Sequence, residues 1–354
     1  MKNCSRYFKD KKIIPIDQFF DDVLYNKKYG YYSKNMPFGD KGDFVTSPSI
    51  SFLFGEMISI WIKSVWEKLN RPEKICIVEL GPGTGQLMNR IVETLGYFPE
   101  IFSASKFFLY EKSQSLKKIQ KKKLIGKKVK WISKVDEIKE GPIIFIGNEF
   151  FDAIAIKQFI RKKKEILEVC IGLDEGSNIK RYYRKAQSED IFQLKKFNTL
   201  KKLNFLELPK LGFLELDPII NKIKKYGGGI MLIDYGYLNQ INKSSLQSVK
   251  KHKKNEIFEN IGSADITSLV NFSLLKEYFE SKKIKVEKIV TQSFFLKKMG
   301  ILQRAEIVSK KMNFKDKSDL YFRLKRLLDI KLMGELFKVI FAHRIKGKKI
   351  IGFY

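Results

Sequence analysis

Cysteine and histidine are scarce in this chain, and their scarcity excludes several kinds of site. The 354 residues include three cysteines, Cys4, Cys76 and Cys170, which stand far apart, and two histidines, His252 and His343. A scattered, odd-numbered set builds neither a disulfide framework nor a zinc-binding spacing. We therefore expect a reducing compartment and no metal site.

Long apolar runs are also missing. No stretch approaches the roughly 18 apolar residues that a membrane-spanning helix needs. The charged N-terminus lacks an apolar core of signal-peptide length and leaves little room for a transit peptide. These absences predict a protein of the bacterial cytoplasm without a membrane span.

Acidic residues are few beside the basic ones. The chain has 69 Lys+Arg against 39 Asp+Glu, a formal net charge of +30, which is typical of nucleic-acid-binding proteins. The lysines, however, are spread over nearly every segment in short runs, as on solvated faces, so we predict no specific nucleic-acid partner. The hydrophobic fraction of 44% is ample for a packed interior and excludes global disorder.

A glycine-rich loop between a predicted strand and a predicted helix is the strongest local signal. The strand, residues 75–80, is apolar and β-branched, and it is followed by Gly81, Gly83 and Gly85. Glycine permits positive φ and lets the backbone approach a ligand closely. The start of the next helix offers unpaired N–H groups and a positive dipole end. The pattern predicts a nucleotide-like ligand; a glycine-rich turn without a ligand is the alternative.

Acidic residues at two strand ends narrow the chemistry of that ligand. Glu79 suits a ligand with a positive portion, such as the aminoacyl end of S-adenosylmethionine, better than a pyrophosphate. Glu111 ends the second strand, where a carboxylate can accept hydrogen bonds from both hydroxyls of a ribose. The alternative for Glu111 is an exposed acid that opens the next helix.

A fourth strand over 142–146 runs into a polar segment that contains Asn148, Glu149 and Asp152. Ligands bind at the carboxyl ends of strands in open α/β sheets. This segment is therefore expected beside the glycine loop, although acids that merely stabilise a helix N-terminus would look the same.

The periodicity of the remaining chain completes an α/β pattern. Apolar spacing predicts helices over 16–26 and 52–69, and alternation between 156 and 211 predicts an inserted antiparallel hairpin region. Further expectations are strands over 106–110 and 129–132, a helix over 218–226, a strand over 230–233, a loop over 238–259, a helix that starts at Asp265, a strand over 286–290, and mostly helix from 294 to 341.

Together these motifs resemble the MidA-type S-adenosylmethionine-dependent methyltransferases, a family that includes a mitochondrial complex I assembly protein arginine methyltransferase. The matching segments are Gly-Tyr-Tyr at 30–32, Gly-Asp-Phe-Val-Thr-Ser-Pro at 42–48, Phe-Gly-Glu at 54–56, Glu-Leu-Gly-Pro-Gly at 79–83, Asn-Glu-Phe-Phe-Asp at 148–152, Asp-Tyr-Gly at 234–236, Ala-Asp-Ile-Thr at 264–267, Thr-Gln at 291–292, Phe-Leu at 295–296, Met-Gly at 299–300 and Met-Gly-Glu-Leu-Phe at 333–337. One departure is Thr84-Gly85-Gln86, where many relatives carry Arg-Gly-Thr.

The resemblance implies a fold and a domain organisation. The fold is the α/β class I methyltransferase fold, Rossmann-like, with a mostly parallel seven-stranded sheet, a helical N-terminal addition and an inserted antiparallel hairpin region. The expected divisions are an N-terminal segment over 1–72 that covers the active site, a core over 73–155 and 212–354, and a β-rich insertion over 156–211.

The resemblance also implies S-adenosylmethionine-dependent N-methylation of protein arginine, on a respiratory complex I subunit or a related protein. Arginine stays protonated near neutral pH, with a pKa of about 12.5 or higher, so a carboxylate must orient the guanidinium and stabilise its charge. Glu149 is the first candidate for that role, followed by Asp152 and Glu215, the latter at an acidic position of the family. The expected cofactor residues are Asp43, Thr46, Glu79, Gly81, Gly83, Gly85, Glu111 and Asn148.

Two rival functions remain open. Methylation of RNA or a small molecule is favoured by the charge, but the Asn-Pro-Pro-Tyr-type box of many nucleobase methyltransferases is absent, because Glu149 follows Asn148. A non-catalytic, S-adenosylmethionine-binding assembly factor is the other rival. The expected partner is a protein substrate, and the oligomeric state is left open, with a homodimer as the one state considered.

Overall fold

The computed structural model describes residues 5–8, 12–34, 47–176, 178–250, 253–347 and 349–354. The described residues form two compact units. The first unit comprises the described residues within Met1–Phe44, Asp152–Leu216 and Tyr237–Tyr278, and the second those within Val45–Phe151, Asp217–Gly236 and Phe279–Tyr354. These boundaries differ from the predicted divisions at 72, 155 and 211. Across the described ranges, no helix combines the length and apolar content that crossing a bilayer requires.

The second unit is built on a central sheet with a path of seven strands. Parallel pairings join the first five strands, and the sixth strand pairs antiparallel with both the fifth and the seventh. This arrangement confirms the predicted mostly parallel sheet. In spatial order the strands are Val129–Ile132, Ser105–Tyr110, Ile75–Leu80, Ile143–Asn148, Gly228–Tyr237, Phe337–His343 and Lys285–Val286.

The order of these strands reverses direction between Ile75–Leu80 and Ile143–Asn148. The next two strands along the chain extend the sheet on one side of Ile75–Leu80, and the later strands extend it on the other side. Such a reversal opens a crevice at the carboxyl ends of the two central strands, where ligands of open α/β sheets bind. Both strands are buried along their whole length, as parallel strands covered by helices are.

Helices cover this sheet and share one apolar core with it. Ser51 is the N-cap of helix Phe52–Lys68, and its side chain accepts a hydrogen bond from the Leu53 N–H. Its Trp61 packs edge-to-face on Phe341 of the sheet, with ring centroids 4.9 Å apart. The other helices of this unit are Ser47–Ile50, Gln86–Leu95, Pro99–Ala104, Gln114–Lys123, Val135–Glu137 (a 3-10 turn), Gln292–Lys298, Ile301–Ser309, Phe314–Leu328 and Met333–Leu336, and the short strand Val290–Thr291 pairs with Phe337–His343.

The first unit combines two antiparallel sheets with helix Ile16–Tyr25, whose apolar face is buried. The predicted hairpin is confirmed, because Lys157–Lys162 pairs antiparallel with Glu165–Leu173. One sheet contains Ile13–Pro15, Glu165–Leu173, Lys157–Lys162, Phe205–Leu208 and Ile179–Lys185, and the other Lys253–Asn255, Leu246–Lys250 and Asp265–Ser268. The unit also includes Ser5–Tyr7, Tyr31–Lys34, Ser188–Lys196, Asn198–Leu200 and Val270–Asn271.

Several local predictions are wrong. The predicted helix start at Asp265 is instead a strand, Asp265–Ser268, paired with Leu246–Lys250 inside the predicted loop, and the helix begins at Phe272. The local N-cap signal of Asp265 is overridden by cross-strand pairing of the β-branched residues that follow it. Other differences are the strand Phe337–His343 in the predicted helical tail, the helix Lys210–Tyr226 that begins before 218, and two short strands in place of one over 286–290.

Candidate active site

The glycine loop lies at the strand-order reversal of the second unit. Gly81, Gly83 and Gly85 have φ values of 59°, 52° and 80°, which residues with side chains rarely adopt. A Cβ at Gly81 would stand 2.9 Å from Cδ2 of Phe150. The loop therefore requires glycine. Phe150, in the segment after strand Ile143–Asn148, lies directly against the loop, as predicted from the strand ends.

Glu79 turns its carboxyl group toward the helix that follows the loop. Its Oε2 accepts a hydrogen bond of 2.9 Å from the Met88 N–H in the first turn of helix Gln86–Leu95. Among the described residues no other hydrogen bond reaches this carboxyl group. Burial raises the pKa of Glu79 from 4.5 to about 8, outweighing the Met88 hydrogen bond that lowers it.

This shift predicts how pH affects stability. Because the native-state pKa of Glu79 is raised, its contribution to stability is complete below about pH 4.5 and is lost as pH rises toward 8. Glu79→Gln cannot ionise and keeps an oxygen for the Met88 N–H. One pKa unit corresponds to about 1.4 kcal/mol, so we expect the variant to gain on the order of a few kcal/mol relative to wild type between pH 5 and 9. Urea unfolding across this range measures the gain; parallel stability curves would contradict it.

Glu111 belongs to a buried hydrogen-bond network beside the loop. Its Oε1 accepts from the Ser113 N–H at 2.7 Å, and its Oε2 accepts from Nε2 of Gln120 at 3.0 Å. The same Nε2 donates to the carbonyl oxygen of Gly83 at 2.8 Å. Burial raises the pKa of Glu111. Gln120 was not predicted from the sequence, because nothing in the pattern distinguishes it from the other polar residues of a lysine-rich helix.

Glu149 has an unusual backbone and an asymmetric carboxyl group. Its φ is 52°, a conformation that costs free energy for a non-glycine residue and clusters at functional sites. Oε1 accepts two hydrogen bonds, from the Ser47 N–H at 2.9 Å and from Nδ2 of Asn148 at 3.0 Å. Among the described residues Oε2 accepts none. Burial, the largest effect, raises the pKa of Glu149 from 4.5 to about 7.

Asn148 presents a buried acceptor at the same place. Its side chain is 9% exposed, and its Oδ1 has no hydrogen-bond partner within the described part of the chain. A buried acceptor without a donor is costly. A ligand N–H or O–H group would satisfy it.

Three further side chains support the Glu149 turn. Asp234, 1% exposed, accepts from the Phe151 N–H at 2.8 Å through Oδ2. Ser47 Oγ donates to Oε1 of Gln292 at 3.3 Å, and Gln292 is fully buried. All three residues fall in the matched motifs, but local pattern assigned them no role.

The remaining predicted site residues are placed as follows. Asp152 and Glu215 belong to the first unit and not to the unit that carries Glu149. The main-chain oxygen of Asp152 accepts from the Ser268 N–H at 3.0 Å, and Glu215 lies within helix Lys210–Tyr226. Asp43 and Thr46 lie outside the described residues.

The groups of the second unit fit S-adenosylmethionine. The glycine loop allows close backbone approach, Glu111 offers carboxylate oxygens to a ribose, and Oδ1 of Asn148 offers an acceptor to an N–H or O–H group. The order of the parallel strands places these groups at the crevice. Fold and site thus define a Rossmann-like α/β protein of the class I methyltransferase type.

The chain matches the model of a family of S-adenosyl-L-methionine-dependent methyltransferases over residues 57–290. It belongs to this family, which confirms the predicted class of enzyme and the predicted cofactor. Similar solved structures agree on the fold. A COG1565 superfamily member from Burkholderia thailandensis, crystallised with S-adenosyl-homocysteine, superposes with a TM-score of 0.81 at 23% identity over 97% of this chain and 91% of that one.

Curated relatives carry a more specific name. The chain is 30% identical over 300 residues to the Caenorhabditis elegans homolog of the mitochondrial protein arginine methyltransferase NDUFAF7, covering 78% of this chain and 70% of the relative. The NDUFAF7 of Xenopus tropicalis is 26% identical, over 94% of this chain and 83% of that protein. The human protein is 27% identical, over 92% and 78%.

Proposed function

We propose that this protein is a protein arginine N-methyltransferase. S-Adenosylmethionine supplies a methyl group on a positively charged sulfur. The relatives named protein arginine methyltransferases support arginine as the acceptor. Within the chain, the observation that carries the proposal is the carboxyl group of Glu149, with one oxygen held by two donors and the other accepting no hydrogen bond from the described residues. The charge of Arg326 also acts on this carboxyl group and lowers its pKa against the larger effect of burial.

Glu149 suits a guanidinium in its geometry, its charge and its basicity. Its fixed Oε1 sets the direction in which Oε2 accepts, and an ionised carboxylate forms strong charge-assisted hydrogen bonds with arginine. Holding the nitrogen in line with the methyl group reduces the entropic part of the barrier. With a pKa of about 7, the carboxylate can also take up the proton that the nitrogen loses on methylation, because a base is most effective with a pKa near the working pH.

The pKa of Glu149 predicts the pH dependence of transfer. The active form is the carboxylate, which predominates above about pH 7. We therefore expect the single-turnover rate to rise about tenfold per pH unit below 7 and to level off above it. Rates between pH 5.5 and 8.5 with peptide and cofactor well below saturation test this dependence, because they report the pKa of the enzyme before its positively charged ligands bind. A flat profile would show that no group with this pKa takes part.

The cofactor roles are proposals of the same kind. We assign the loop of Gly81, Gly83 and Gly85 to the close backbone contact, Glu111 to the ribose hydroxyls and Asn148 to a polar group of the cofactor. Glu79 remains the candidate for the positive aminoacyl end, through Oε1, because Oε2 accepts from the Met88 N–H. A positive group beside it would favour the ionised form that burial disfavours. Asp43 and Thr46 remain predictions, and Asp152 and Glu215 remain weaker candidates for catalysis.

Label transfer identifies the acceptor. Purified protein with S-adenosylmethionine labelled in the methyl group is added to a lysate of cells that lack the protein, with Glu149→Gln as the inactive control. We expect label in protein, recovered on arginine by mass spectrometry, and only with the wild type. Label in RNA that survives protease would favour the rival suggested by the net charge of +30.

The identity of the labelled protein tests the finer parts of the proposal. A respiratory complex I subunit is the target that the family resemblance implies. The predicted bacterial cytoplasm stays a prediction, since the similar curated proteins are named mitochondrial. If cofactor binds but neither protein nor RNA is labelled, the non-catalytic assembly factor becomes the better reading.

A further inference from the structure

Gln120 connects two parts of the proposed cofactor site. It lies on helix Gln114–Lys123, and its side chain is fully buried. Its Nε2 donates to the Gly83 carbonyl oxygen at 2.8 Å and to Glu111 Oε2 at 3.0 Å. One amide group therefore spans the glycine loop and the carboxylate assigned to the ribose.

Trp131 determines which way this amide faces. The indole Nε1–H donates to Oε1 of Gln120 at 2.9 Å, and an indole can only donate. The Gly83 carbonyl and the Glu111 carboxylate can only accept. A reversed amide would set its N–H groups against the indole N–H and its oxygen against two acceptors. The three neighbours thus fix the orientation of an amide whose oxygen and nitrogen are otherwise hard to distinguish.

The carboxyl group of Glu111 is held from both sides. The Ser113 N–H anchors Oε1, and Gln120 anchors Oε2. The backbone N–H of Lys112 also acts on this carboxyl group as a hydrogen-bond donor. A carboxylate has about four acceptor positions, so at least one is left for a ribose hydroxyl. Burial raises the pKa of Glu111, and the hydrogen bond from Gln120 partly opposes that effect. The Gln120 bond thereby favours the ionised form of Glu111, which accepts hydrogen bonds from hydroxyl groups.

We propose that Gln120, oriented by Trp131, is a positioning residue that sets Glu111 against the glycine loop and so makes the site select a cofactor with ribose hydroxyls. The inference rests on the proposed assignment of Glu111 to the ribose. Gln120 acts through Glu111 and Gly83 and touches none of the reacting atoms. Loss of Gln120 should therefore weaken binding of a ligand with both ribose hydroxyls more than binding of a ligand that lacks one.

The test compares two ligands. Calorimetry gives the dissociation constants of S-adenosyl-homocysteine and its 2′-deoxy analogue for wild type, Gln120→Leu and the control Gln114→Leu, which changes an exposed glutamine of the same helix. We expect wild type and control to prefer the ribose form at least tenfold. In Gln120→Leu the preference should fall below threefold, mainly through weaker binding of the ribose form.

A purely structural role gives a different result. It would weaken both ligands by the same factor and leave the preference unchanged, which overturns the inference while the cofactor assignment stands. Wild type that binds neither ligand would instead overturn the proposed function. If Gln120→Leu does not fold, the same comparison of the two ligands is made with Trp131→Phe. That variant keeps an aromatic ring, removes the donor to Gln120, and should lower the preference at least threefold; an unchanged preference rejects the inference.

Discussion

Glu149→Gln is expected to reduce methyl transfer about 100- to 1000-fold, the usual cost of removing one group that stabilises charge in a transition state. The glutamine oxygen can still accept from the Ser47 N–H and Asn148 Nδ2. Its amide nitrogen then replaces Oε2 and directs N–H donors at a guanidinium, which has no acceptor to receive them. Affinity for S-adenosyl-homocysteine should change less than about threefold, or 0.7 kcal/mol.

Two measurements separate the roles of Glu149. Single-turnover transfer to an arginine peptide reports on chemistry, and calorimetry with S-adenosyl-homocysteine reports on the cofactor. Glu73→Gln, at an exposed carboxylate of the same unit, is the matched control and should behave as wild type. If transfer and cofactor affinity fall together in Glu149→Gln, Glu149 binds the cofactor and its catalytic assignment is wrong.

Gly83→Val is expected to lower the affinity for S-adenosyl-homocysteine at least 100-fold. Valine disfavours the φ of 52° found at Gly83, and its branched side chain would occupy the space that the loop leaves for the cofactor. A shift of the backbone would also move the Gly83 carbonyl away from Gln120. Calorimetry measures the affinity, and thermal unfolding shows whether the fold is retained.

Gly126→Val separates backbone strain from loss of the binding site. Gly126 has a φ of 77°, and a Cβ there would meet no described atom within 4 Å. Gly126→Val should lower the melting temperature by about as much as Gly83→Val does and should leave cofactor affinity unchanged. Affinity retained within threefold in Gly83→Val would remove Gly83 from the site.

The sheet of the second unit was largely predictable because each of its parallel strands has a recognisable local sequence pattern. Ile75–Leu80 and Ile143–Asn148 are short apolar runs that end in glycine or polar residues, as fully buried parallel strands do. The resemblance to known methyltransferases supplied the expected sheet and cofactor. The small antiparallel sheet that contains Asp265–Ser268 was not predictable, since its strands are polar and pair across some twenty residues.

The chemistry of the candidate site was only partly predictable. Residue types and strand ends identified the glycines, Glu79, Glu111 and Glu149 as candidates. They did not show that Glu79 bonds to Met88, or that Ser47, Asp234 and Gln292 support the Glu149 turn. Those contacts join residues up to 245 positions apart, and such pairs leave no periodic signal in a single sequence.

The sequence by itself determined the class of ligand and predicted where along the chain its site lies, because glycine spacing and strand ends are local properties. Only the tertiary structure decided the state of each group. Four features arise where separate strands and helices meet: the left-handed backbone of Glu149, its two donors, the Asn148 acceptor that no described residue satisfies, and the Gln120 amide between Gly83 and Glu111. Burial at that meeting point, which no short segment encodes, also raises the pKa of Glu79 and Glu149.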